Sequence, residues 1–81
     1  QNYPNPFNPS TTIEYNLASS SEVTITIYDV LSREVDFINE GWKMAGSYSL
    51  NWSGEGFPSG IYFCKLKAGN NIKIIKMVLV R

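Results

Sequence analysis

The sequence predicts an all-β protein, an antiparallel sandwich of about seven strands, and three observations lead there. Short runs in which apolar and polar residues alternate with a period of two recur along the 81 residues. Clusters of Gly, Pro, Asn and Ser separate these runs at spacings typical of sandwiches. No run is patterned as an amphipathic helix. A small barrel is the alternative architecture for the same pattern. Short connections favour mostly antiparallel pairing.

The strongest strand signal is residues 23–30. Val23, Ile25 and Ile27 alternate with Thr24, Thr26 and Tyr28, and β-branched residues pack well on a pleated surface. This strand is expected to be central, with Ile25 and Ile27 buried. Before it, Pro4, Pro6 and Pro9 exclude a helix and a central strand from the opening segment and stiffen it. Residues 1–10 therefore read as a proline-rich boundary segment packed on the domain, anchored by Tyr3 and Phe7, with the sandwich over 11–81. Residues 11–17 form the first strand of the sandwich, with Ile13, Tyr15 and Leu17 on one face. Residues 18–21 turn the chain into the central strand.

Ser32 begins a tight turn. Residues 33–38 read as a short, irregular strand with Val35 and Phe37 facing in, and 39–46 as a loop in which Trp42 or Met44 covers the sandwich edge. In 47–53, Tyr48, Leu50 and Trp52 share an apolar face. Residues 54–60 are rich in turn formers. In 61–68, Tyr62, Cys64 and Leu66 point inward and Lys65 and Lys67 outward. Gly69, Asn70 and Asn71 make a hairpin turn. The last strand, 72–80, breaks phase: Ile72 and Ile74 share one parity, Ile75, Met77 and Leu79 the other. A β-bulge near Ile74 or Ile75 would realign them; otherwise both faces are partly buried.

Composition narrows the function. Acidic and basic residues balance at seven each, so no net field draws in nucleic acid or an anionic membrane, and the lysines read as scattered. No apolar run reaches membrane-spanning length, so no stable membrane insertion is expected. Histidine is absent, which excludes a Ser-His-Asp triad and the commonest metal ligand. Asp29 with Glu34 or Asp36 is the nearest carboxylate grouping, but it flanks a turn, where acids bond backbone amides. A calcium loop through Asp29 and Asp36 does not match the required spacing. Cys64 is the sole cysteine; on an inward parity it reads as a small hydrophobe. Asn51-Trp52-Ser53 fits the glycosylation pattern only formally, since it lies inside a strand. Tyr3, Phe7, Trp42 and Phe57 could line a sugar-binding face, but aromatics that plug a small sandwich are the favoured reading. No catalytic residue, metal or cofactor is expected. The opening at Gln1, polar and without an initiator methionine, is expected of a module from a longer polypeptide.

Five blocks, in order, carry a resemblance. They are Asn2-Tyr3-Pro4-Asn5-Pro6-Phe7-Asn8-Pro9-Ser10-Thr11-Thr12-Ile13; Tyr28-Asp29-Val30-Leu31 with Arg33-Glu34-Val35; Ala45-Gly46-Ser47-Tyr48 with Trp52; Ser59-Gly60-Ile61-Tyr62-Phe63 with Lys65-Leu66 and Ala68-Gly69; and Lys76-Met77-Val78-Leu79-Val80-Arg81. Together they resemble the C-terminal sorting domain of type IX secretion cargo, the type A Por secretion tail of Bacteroidetes-group proteins, over the whole chain. Two departures stand out: Ser32 where the family often has glycine, and Cys64 where tyrosine is common. Ig-like modules of flagellar hook-capping proteins look similar near Tyr62 and the terminal block.

The resemblance implies an Ig-like sandwich without catalytic activity, placed after a cargo domain in the same polypeptide. It implies passage through the periplasm, recognition by an outer-membrane translocon, and a sorting or attachment peptidase that commonly cleaves the tail. The destination is then the cell surface or the medium. Candidate recognition residues are Pro4, Asn5, Pro6, Gly60, Tyr62, Lys73, Lys76 and Arg81. The last three would give the final strand a basic side. If that strand lies at a sheet edge, its backbone groups can be read by an added strand. The alternative function is an accessory or carbohydrate-binding module of a secreted polysaccharide-active enzyme, with Trp42 and Phe57 as paired exposed rings.

Overall fold

The computed structural model describes the backbone of Asn2 and Tyr3 together with residues 10–80. The strands are β1 (Asn2–Tyr3), β2 (Ser10–Leu17), β3 (Ser21–Asp29), β4 (Glu34–Lys43), β5 (Gly46–Ser53), β6 (Gly60–Ala68) and β7 (Asn71–Leu79). They form two antiparallel sheets, ordered β1-β2-β5 and β4-β3-β6-β7. The two sheets share one core. Ile13, Tyr15, Leu17 and Trp52 from the first pack with Val23, Ile25, Ile27, Tyr62, Cys64, Leu66, Met77 and Leu79 from the second. Ile25 and Ile27 have no exposed surface, and β3 pairs on both sides, with β4 and with β6.

The outer face of β2 and β5 is polar, and its side chains pair across the strands. Thr12 donates to Asn51 and Ser47 donates to Asn16, each at 2.7 Å. Both pairs are direct register partners of β2 and β5, the geometry in which cross-strand side chains meet. Two further bonds tie this sheet to β4 of the other. Tyr15 donates its hydroxyl to Glu40 at 2.8 Å, and Trp52 donates Nε1 to Asp36 at 2.8 Å.

Strand β4 departs from the sequence expectation. It is longer than the predicted 33–38, and residues through Lys43 are strand rather than loop. Its pairing with β3 shifts register twice. Near Tyr28 the register passes from Glu34 to Asp36 and leaves Val35 as the extra residue. That changes the parity downstream. Asp36 and Ile38 turn toward the core, while Phe37, predicted to face in, is half exposed. Trp42 lies opposite Glu22 on the outer side. Trp42 and Met44 are both about two-thirds exposed, so neither covers the sandwich edge as expected.

The β3–β4 turn closes regularly. Ser32 N–H donates to the Asp29 carbonyl and Asp29 N–H to the Arg33 carbonyl, each at 3.0 Å. Ser32 sits at φ 62°, the single non-glycine with positive φ among the described residues. A side chain there costs about 1–2 kcal/mol, which glycine avoids at the expense of chain entropy. Ser32→Gly is therefore expected to raise stability by about 0.5–1 kcal/mol, read from urea unfolding midpoints. A loss of stability would show that the serine hydroxyl outweighs the strained backbone.

Strand β7 also departs from expectation. It pairs with β6 in unbroken register from Gly60↔Leu79 to Ala68↔Asn71, so there is no bulge at Ile74 or Ile75. Strict alternation follows. Met77 and Leu79 are buried and Ile75 is partly buried, while Ile72 and Ile74 lie more than half exposed.

Candidate recognition surface

The sites proposed from sequence fall in different parts of the fold. Pro4, Asn5, Pro6 and Arg81 lie outside the described residues, as does Phe7. Gly60 opens β6 with φ 155°, a conformation that side chains disfavour, although the space beside it is open. Tyr62 is in the core, and its hydroxyl donates to the Pro58 carbonyl at 2.6 Å. Its ring sits against Trp52 and Phe57. In the folded domain its surface is therefore turned to the β5–β6 corner and not to solvent.

Lys73 and Lys76 do not share a side. Without a bulge, residues three apart on a strand point to opposite faces. Lys76 pairs with Phe63 on the outer face, whereas Lys73 pairs with Leu66 and has the parity of Ile75, Met77 and Leu79. The expected basic side of the last strand is thus split between two faces. The aromatic pair is also divided. Phe57 stacks on Trp52 with ring centroids 5.6 Å apart, while Trp42 projects from β4. Trp42 and Phe57 therefore do not form the twin exposed rings expected of a carbohydrate platform.

The position of β7 is the informative result. It ends the order β4-β3-β6-β7, and among the described residues it pairs with β6 alone. On the outer face its Ile74 stands opposite Lys65, and Lys76 opposite Phe63. Tyr28, Asp29, Ser32, Phe63, Lys65 and Ile74 line a shallow depression there.

Charge distribution supplies a feature that total charge conceals. All seven acidic residues lie at or before Glu55, and five of the seven basic residues lie after it. The fold turns this order into space. β6 and β7 are neighbours at one edge and carry Lys65, Lys67, Lys73 and Lys76 with no acid, while β4 at the other edge carries Glu34, Asp36 and Glu40. The lysines are not scattered. The signal was available in the order of charges along the chain, but its meaning required the pairing of β6 with β7.

The remaining ionisable groups have structural roles. Asp29 accepts from the Leu31 and Arg33 amides at 2.9 and 3.0 Å, and Arg33 Nε lies 2.8 Å from its other oxygen. The Arg33 backbone bond, followed by the Arg33 side chain, holds the Asp29 carboxyl below its ordinary value of 3.8. A carboxyl lowered on folding contributes stability that is complete above 3.8 and is lost as pH falls through the folded-state value. Asp29→Asn is accordingly expected to flatten the fall of Tm with pH below 4. An unchanged acid limb would show that this turn does not contribute to acid sensitivity. Burial, and then the bond to Glu40, raise the Tyr15 phenol well above 10. Its contribution is complete below pH 10 and is lost at higher pH. Burial pushes the Cys64 thiol up to about 11, which leaves it protonated at neutral pH and poorly nucleophilic. Among the described residues no three His, Cys, Asp or Glu side chains gather as metal ligands.

What these observations define is a small two-sheet module whose distinctive exposed chemistry is a strand edge flanked by lysines. Over residues 1–81 the chain matches the family described as secretion system C-terminal sorting domain, and it belongs to that family. Its function is that of a non-catalytic sorting domain of the type IX secretion system, associated with secreted or cell-surface protein. No curated protein matches the chain.

Proposed function

We propose that β7 is the element by which an outer-membrane translocon reads this domain, after the cargo domain ahead of it has reached the periplasm. The observation that carries this reading is the position of β7 at an unbulged sheet edge, where among the described residues the stretch 72–76 pairs with β6 alone and its outward backbone groups can take an added strand. A sorting or attachment peptidase then acts on the exported protein. The boundary segment 1–10 joins cargo to domain, and its Pro4, Asn5 and Pro6 contribute to recognition. So do Gly60, Lys73, Lys76 and Arg81, whereas Tyr62 acts by holding the β5–β6 corner.

The fold beneath this function is of Ig type. β2 pairs with β5, β3 with β6 and β6 with β7, which parallels the B–E, C–F and F–G pairings of Ig sandwiches, and β4 occupies the place of C′. Tyr62 near the start of β6, donating to a carbonyl four residues upstream, supports the same reading through its likeness to a tyrosine corner.

A fusion of residues 1–81 to a folded periplasmic reporter tests the function in a host with the secretion system. The reporter is expected at the surface or in the medium. Removal of residues 76–81 is expected to leave it folded in the periplasm. Export that survives the deletion would remove β7 as the element that is read, and a full-length fusion that never leaves the periplasm would count against autonomous sorting by this domain.

A further inference from the structure

The two edges of the four-stranded sheet are built differently. β4 carries two register shifts, an inward-turned Asp36 and Gly41, devices that keep an edge from pairing with foreign strands. β7 has no shift in its match with β6. Val78 is engaged beyond this ladder, so the open stretch is counted from Ile72 to Lys76. Every second residue of an edge strand turns its backbone N–H and C=O away from its neighbour. On the outer face Ile72 and Ile74 form an apolar ridge beside the depression made with Tyr28 and Phe63. Lysines 65, 67 and 76 flank that ridge, and neither β6 nor β7 carries an acid. On the adjacent β3, Glu22 lines a depression with Lys67, and Asp29, which pairs with Arg33, lines the one that holds Lys65.

Backbone groups along the edge, an apolar ridge and a pair of strands that carries lysines and no acid have a definite complement. We propose that Ile72–Lys76 accepts an extended segment of a partner protein in which apolar and acidic residues alternate. The segment adds a fifth strand to the sheet. Its apolar side chains lie over Ile72 and Ile74, and its carboxylates meet Lys76 and Lys65. The inference rests on the reading of β7 as the translocon-facing strand and adds the chemistry of what the translocon presents. A second copy of this chain is a poorer occupant. Its acidic edge, β4, is bulged, and its β7 would bring lysines against lysines. An anionic lipid surface would match the lysines but leave the edge backbone unpaired.

The test uses the 81-residue chain and a blocked nine-residue peptide alternating valine and glutamate. Controls are the same peptide with lysine for glutamate, two versions N-methylated on one or the other set of alternate amides, and vesicles of phosphatidylglycerol. The Val/Glu peptide is expected to bind and to slow amide exchange within residues 72–76. Lysine for glutamate in the peptide, or Lys65→Glu with Lys76→Glu in the protein, is expected to weaken binding by about tenfold or more. At least one N-methylated version is expected to lose binding, because it cannot join the ladder. Four results would overturn the proposal: no peptide binding, equal binding by both N-methylated versions, vesicle binding alone, or protection of β7 by self-association without peptide. The export fusion separates the two claims. If the peptide fails to bind while deletion of 76–81 still abolishes export, the sorting role of β7 stands and the partner chemistry falls. If the peptide binds as expected while the truncated fusion is exported, the pairing chemistry stands and the sorting role falls.

Discussion

Ile27→Ala is expected to destabilise the domain by about 2–5 kcal/mol, the range for truncating a large buried aliphatic side chain. Ile27 has no exposed surface and lies on the central strand, opposite Asp36 of β4 on one side and Cys64 of β6 on the other. Both flanking ladders hold the backbone in place, so the space left by the three lost carbons cannot close by strand movement. A domain of this size has a total stability of roughly 4–12 kcal/mol, so this one change removes a large share of it. Urea unfolding measures the effect through the midpoint at constant slope. Glu22→Ala, at an exposed position on the same strand, is the control and is expected to stay within about 0.5 kcal/mol. A loss below 1 kcal/mol for Ile27→Ala would contradict the β3 register.

Trp52→Ala is expected to cost about 3–5 kcal/mol, and Trp52→Phe about 1–3 kcal/mol. The two substitutions separate two contributions of one side chain. The ring is buried, stacks on Phe57 and meets Tyr62, so alanine opens a hole where the β5–β6 loop covers the core. Phenylalanine refills much of that volume but removes the Nε1 donor, leaving the Asp36 carboxylate without its 2.8 Å bond to the opposite sheet. A partly buried carboxylate oxygen deprived of its donor is destabilising in its own right, even though the other oxygen keeps the Phe37 amide at 2.9 Å. Asp36→Leu in the Trp52→Phe background is then expected to recover part of the loss, since both partners of the bond between the sheets are gone and the Phe37 amide that Asp36 also accepts from is exposed. If Trp52→Phe proves neutral, the bond between the sheets contributes nothing net, and Trp52 acts through packing alone.

Where the chain alternates without interruption, sequence was enough to assign the inward side chains. Ile13, Tyr15 and Leu17 of β2, Val23, Ile25 and Ile27 of β3, and Tyr62, Cys64 and Leu66 of β6 are all buried as their parity predicts. These strands pair in simple register with their neighbours over those residues, except for the shifts that β4 introduces. The Asp29 turn was likewise legible, because a carboxylate at the end of a strand has backbone amides within reach two and four residues on. The sorting function was legible from five ordered blocks and not from any reacting group, and membership of the family agrees with it.

Parity is a local property, and it fails where a neighbouring strand resets it. The extra residue at Val35 cannot be seen in β4 by itself, because a bulge is defined by the strand opposite; it turned Asp36 inward and Phe37 outward. The same holds in reverse for β7, where a phase break suggested a bulge. Pairing with β6 imposed strict alternation and placed Lys73 and Lys76 on different faces. The amino-acid sequence by itself determined six of the seven strands, which side chains most of them bury, and the order of charge along the chain; β1, Asn2–Tyr3, falls in the segment read as a proline-rich boundary. Only the tertiary structure decided which strands became edges, and so that the lysine-bearing β6 and β7 lie together at one side of a sheet. Strand adjacency is set by long-range packing of the two faces into one core, and alternation within a strand carries no record of it.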